Sequence, residues 1–139
     1  MAWDFIENVA VLLEEFNELP SFHDAFINML NLNSGTLNSG GESAPSVTVV
    51  FDFPCYTASA QEYKIAHYSE VTIEFLGVLS VDINDFTYDN CLYELNVKKD
   101  EVSGLLSVAM SSSTNVDSFE CNMVCTSIVV QKCLRKTNT

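Results

Sequence analysis

Between Trp3 and Phe16 the apolar residues recur three and four positions apart. Trp3, Ile6, Ala10 and Leu13 fall on one stripe, and Phe5, Val9, Leu12 and Phe16 on the adjacent one. That period predicts an amphipathic helix from about Asp4 to Glu18, with an apolar face wide enough to require a sheet or other helices to cover it. Asp4 followed by Glu7 reads as a capping-box variant at its start. Leu19-Pro20 ends it, because the residue before proline is pushed out of helical geometry. Glu14, Glu15 and Glu18 lie near the C-terminal end, where the helix dipole opposes negative charge. They read first as a solvated face and second as a docking face.

Beyond Pro20 the period changes from helical to alternating. A first strand is expected from about Asp24 to Leu32, followed by a Ser-, Asn- and Gly-rich loop over residues 33–43. Val47, Val49, Phe51 and Phe53 alternate with Thr48, Val50 and Asp52, as on a strand with one face in the core. Residues 54–67 read as a loop. Val71, Ile73 and Phe75, then Leu79, Val81 and Ile83, make two strands or one strand bent at Gly77. Tyr93, Leu95 and Val97 mark another, which stops at Lys98-Lys99-Asp100-Glu101. Two last strands are expected over 102–110 and 120–134. With short connections and no second convincing helix, parallel crossovers are disfavoured. The expected fold is α+β, an N-terminal amphipathic helix packed on a mainly antiparallel β-sheet or open sandwich. At 139 residues the chain is the size of one domain, 1–139, with no internal repeat.

Composition narrows what such a domain can bind. The chain is 47% hydrophobic, enough apolar surface to fold, yet carries 19 Asp and Glu against 6 Lys and Arg, a net charge of −13. Phosphate backbones and anionic membranes are repelled by such a surface, so neither nucleic acid nor membrane is an expected partner. A basic protein surface is an expected one. Acidity also serves solubility by itself. The start, Met1-Ala2-Trp3-Asp4, brings acid where a secretory leader carries basic residues, and no apolar run approaches the roughly 18 residues of a membrane span; a cytoplasmic location is expected. Five cysteines, Cys55, Cys91, Cys121, Cys125 and Cys133, fit neither a disulfide framework nor zinc-site pairs. Cys121 and Cys125, four apart on a strand, would share a face about 13 Å apart, too far for a disulfide.

Two clusters invite a chemical reading. Ser21, His23 and Asp24 suggest a nucleophile, a base and an orienter. Neighbours on extended backbone point in opposite directions, so a structural role for the three, with turn amides and His23 hydrogen bonds, is favoured over catalysis. Asp82, Asp85 and Asp89 could hold a hard cation, but they lack the ligand order and glycine of a calcium loop and read as a solvated turn. No catalytic residue, metal or cofactor is expected. For partner contact, Glu14, Glu15, Glu18, Asp82, Asp85 and Asp89 would supply steering and rim charge, and Tyr88 and Tyr93 would be the anchors.

The segment Leu19-Pro20-Ser21-Phe22-His23-Asp24-Ala25, set between an amphipathic helix and a β-rich remainder, resembles the immunity protein 50 family of bacterial polymorphic-toxin systems. Residues 71–86 resemble that family's strand of the form V.L.F.GV..L...DF, and the similarity spans roughly residues 3 to 98. The resemblance implies a cytoplasmic antidote that binds a cognate toxin without cofactor or turnover; a nuclease toxin would offer its basic groove to a carboxylate-rich face. The rival expectations are a self-associating structural or adaptor domain, as a homodimer joined at strand edges, and a small hydrolase using His23 and Asp24.

Overall fold

Residues that alternate apolar and polar lay one side chain in two on the same face, and most of this chain is built that way. A computed structural model describes residues 2–35, 37–38, 41–42, 44–58, 63–87, 90–112 and 119–136. A 3-10 turn, Ala2–Phe5, leads into strand β1 (Ile6–Glu7) and an α-helix, α1 (Ala10–Phe16). The strands that follow are β2 (Phe26–Asn33), β3 (Leu37–Asn38), β4 (Gly41–Glu42), β5 (Ser46–Ala58) and β6 (Tyr63–Leu76). After them come β7 (Ser80–Asn84), β8 (Leu92–Lys99), β9 (Leu106–Ser112), β10 (Glu120–Cys125) and β11 (Ser127–Lys136).

Strands β1-β11-β6-β5-β2 form a five-stranded sheet, β7-β10-β9-β8 a four-stranded one, and β3-β4 a short hairpin. Among the described residues every strand pairing is antiparallel except β1 with β11. The inner face of the larger sheet is a grid of register partners, Val49 with Ile73, Phe51 with Val71, Phe75 with Ile128 and Ile73 with Val130. On the smaller sheet Cys121 lies beside Met110, Met123 beside Val108 and Cys125 beside Leu106. Both sets belong to one buried cluster. Full burial of each large side chain contributes roughly 1.5–3 kcal/mol, so this grid is the main source of stability. Cys121 and Cys125 are free thiols in that core, each pushed up to about 11 by burial. Among the described residues no helix is long and apolar enough to cross a membrane.

The long expected helix is replaced by a 3-10 turn, a two-residue strand and seven helical residues. Asn8, at φ 65°, breaks the run, and Ile6 and Glu7 instead pair with Ile128 and Val129. The capping box does not form, because the helix is capped at Val9 without a side-chain bond. Of the loop expected over residues 54–67, 54–58 belong to β5 and 63–67 to β6, and 59–62 lie outside the described residues. Pro54 is tolerated because β2 pairs with β5 only as far as Phe26 with Asp52, which leaves Pro54 a free edge. Leu79 and Val102 lie outside strands, and the single strand expected over 120–134 is two strands in different sheets.

The sheets join where β6 gives way to β7 and β10 to β11. Gly77 turns at φ +61°, Thr126 N and Oγ1 both donate to the Leu76 carbonyl at 2.9 and 3.0 Å, and Leu79 N donates to Val124 O at 2.8 Å. At the opposite corner Ile27 N donates to Asn90 O, and Leu92 N to Ala25 O. β5 and β6, at 13 and 14 residues, outrun the 5 to 8 residues of the strands facing them. Past that limit, N-terminal aromatics meet the sheet. Trp3 stacks on Phe22 at 4.5 Å, Phe22 lies 5.5 Å from Phe51, and Phe16 meets Phe53 edge-on at 6.0 Å.

Candidate functional site

Alternation along β6 puts His67 and Ser69 on the same face as Val71, so the apolar inner face ends in polar side chains. Glu15, in the last turn of α1, meets them. Its Oε1 accepts from Arg135 Nε at 2.9 Å, Ser69 Oγ at 3.0 Å and His67 Nε2 at 3.2 Å. Burial alone would raise the Glu15 carboxyl. The bonds from Arg135, Ser69 and His67, with the Arg135 charge, outweigh it and hold the group below the ordinary glutamate value. Glu15 is thus committed to three internal partners on two strands. Cys55, the register neighbour of His67, places its Sγ 3.6 Å from the Ser69 hydroxyl.

The turn over residues 21–25 supplies the other wall. Ser21 Oγ accepts from His23 N at 3.1 Å, and Ala25 N donates to Phe22 O at 3.1 Å. His23 Nδ1 donates to the Tyr93 carbonyl at 3.0 Å, and the two rings meet edge-on at 5.4 Å. The neighbours His23 and Asp24 do not diverge as extended backbone would require. Asp24 sits at φ 69°, which brings its Oδ2 to 3.7 Å from His23 Nε2. The Ser21 hydroxyl serves the His23 backbone amide, away from the ring. His23 itself is half-exposed, at 53% of its side chain.

His23 stands between two cavities. One, of about 480 Å³, is lined among others by Glu15, Glu18, Phe16, Tyr56, His67 and His23. The second, of about 290 Å³, includes Trp3, Ser21, His23, Tyr93 and Glu94. Glu15, Glu18, Ser21, His23 and Tyr93, distant in sequence, therefore converge on one region. Glu14 is exposed on α1. Asp82 lies elsewhere, in a shallow cavity of about 450 Å³ on the outer face of the four-stranded sheet, where Asn122, Ala109 and Asn96 continue its register row. Asp85 is exposed beyond β7 at φ 55°. Tyr88 and Asp89 lie outside the described residues.

Sequence reasoning missed Tyr56, His67, Ser69 and Arg135. Extending the Val71-Ile73-Phe75 alternation backwards through Ser69 to His67 was the available signal. Charge around the region is uneven. Arg135 is taken up by Glu15, and Lys136 by Asp52 at 2.8 Å and Glu70 at 3.5 Å. The Asp52 hydrogen bond in particular raises Lys136 above the usual lysine value. Among the described residues no group of three or more His, Cys, Asp or Glu is placed to hold a metal ion. Comparison with protein-family models, curated proteins and solved structures finds no match to this chain.

Proposed function

We propose that this chain is an immunity-type protein that neutralises a cognate bacterial toxin in the cytoplasm by covering a basic surface of it, without turnover or cofactor. The resemblance of residues 19–25 and 71–86 to the immunity protein 50 family motivates the class. The observation that carries the binding mode is the cavity beside His23, where Glu18 shares the walls with Phe16 and Tyr56 while Glu15 is held by Arg135, Ser69 and His67. A carboxylate beside aromatic rings suits a lysine or arginine side chain. Tyr93, 55% exposed and held edge-on by His23, is the neighbouring anchor, since aromatic groups that lose water on binding carry most interface energy. In this arrangement Glu14, exposed on α1, and Glu18, just beyond its C-terminal cap, add rim charge for the partner. The net charge of −13 steers a basic partner in.

The test is co-purification from the native host across a salt titration, followed by co-expression of the captured protein with and without this chain. The expected outcome is capture that weakens as salt rises, toxicity of the captured protein alone, and rescue by this chain. Tyr93→Ala should weaken capture at least tenfold, roughly the 1.4 kcal/mol or more expected of an anchor. Capture that is indifferent to both high salt and Tyr93→Ala would remove the proposed surface.

A further inference from the structure

We infer that the outer edge of β2 is a homodimerisation site, where a second copy of this chain adds its own β2 antiparallel and joins the two five-stranded sheets into one. The inference does not depend on the toxin. Among the described residues β2 is the last strand of its sheet, and from Met29 to Asn33 its strand partner is β5. Its first residues are engaged at the corner, through the Phe26–Cys91 bridge and Ile27 N to Asn90 O. From Met29 to Asn33 the register with β5 is regular, the bulge lying earlier, between Ile27 and Met29. An edge of this kind presents a row of N–H and C=O groups to any strand that can match it.

Natural edges are protected by lysine, proline or inward-pointing charge. The eight residues Phe26-Ile27-Asn28-Met29-Leu30-Asn31-Leu32-Asn33 contain none of these, in a chain with 19 acidic residues. Two copies that each carry −13 repel, so they associate most readily through the stretch where charge is absent. The core also runs out here. Leu32 is the register partner of Val47 on the inner face, yet Val47 is 1% exposed and Leu32 is 53% exposed. Met29, on the outer face beside Val50, is 45% exposed. A second β2 laid alongside would cover both residues while satisfying the edge. The other edges are less suited: β11 already carries β1, with Asn8 Nδ2 on Val130 O, β7 is short and holds Asp82, and β8 is engaged at Leu92 by Asp24 N and the Ala25 carbonyl and carries Glu94, Lys98 and Lys99.

Sedimentation equilibrium of the full chain, from micromolar to millimolar, tests this at low and high sodium chloride. A monomer–dimer equilibrium is expected whose association strengthens with salt, because like-charge repulsion is screened over about 8 Å at physiological ionic strength. Toxin capture moves the opposite way with salt, so failure of one proposal is distinguishable from failure of the other. Leu32→Lys and, separately, Met29→Lys should each weaken the dimer at least tenfold while leaving the circular dichroism spectrum unchanged. Val102→Lys, the same charge change at a 97% exposed turn residue, should leave it intact. A wild-type monomer at every concentration, or a dimer insensitive to both β2 variants, overturns the assignment.

Discussion

Glu15 gathers three hydrogen bonds on one carboxylate oxygen, and its ionisation is therefore tied to folding. Its folded value lies below the unfolded one, so the stabilisation is complete above the ordinary glutamate value of 4.5 and is lost as pH falls through the lower folded value. Arg135 stays charged throughout that window and favours the ionised carboxylate. Glu15→Ala leaves the buried Ser69 hydroxyl without its acceptor and should lower stability by about 2 kcal/mol at neutral pH. Urea unfolding should also show the gap between wild type and variant narrowing as pH falls below 4.5. A constant gap would place the Glu15 contribution in packing. None of this was legible locally, because the partners lie 52, 54 and 120 residues away and meet Glu15 only through strand register.

Elements were legible where one face of a strand stays in the core. Val47 to Phe53, Val71 to Phe75 and Tyr93 to Val97 all read correctly as strands because alternation has no competing explanation there. The amphipathic stretch near the N-terminus was ambiguous: its apolar positions serve a helix, or equally a turn, a strand and a shorter helix, and the free edge of β11 decided it. The division between β10 and β11 had a sequence signal. Buried positions are odd through Cys121, Met123 and Cys125, then even at Ile128 and Val130, a phase slip that marks a change of sheet. At that junction a Cβ on Gly77 would fall 2.2 Å from Thr126 Oγ1, and the backbone there has φ +61°. Gly77→Ala should therefore cost about 3 kcal/mol, read as a lower urea midpoint with an unchanged slope. A near-neutral effect would mean that the junction can relax and that the sheets are not held by it.

At the scale of the molecule, charge and hydrophobic burial oppose each other. Thirteen excess negative charges repel in the folded state, while salt-sensitive pairs such as Arg135–Glu15 are few and worth about 1 kcal/mol or less each when exposed. Repulsion outweighs them, so added sodium chloride should raise the thermal midpoint by several degrees at neutral pH, measured at a fixed low protein concentration to keep association constant. A flat or falling midpoint would show that local ion pairs dominate. The mainly antiparallel β part of the expected fold followed from patterning because one core needs only the correct alternation; the cavities beside His23 did not, since one gathers α1, β5 and β6 around the turn over residues 21–25 and the other sets that turn and Trp3 against β8. The parallel pairing of β1 with β11 sets a clock as well. Asn8 and Val130, bonded across 122 positions, leave the ribosome roughly 6–24 s apart at ordinary elongation rates. During that interval the nascent N-terminus has no strand to dock on, so it depends on chaperones or its own transient collapse until β11 emerges to receive it.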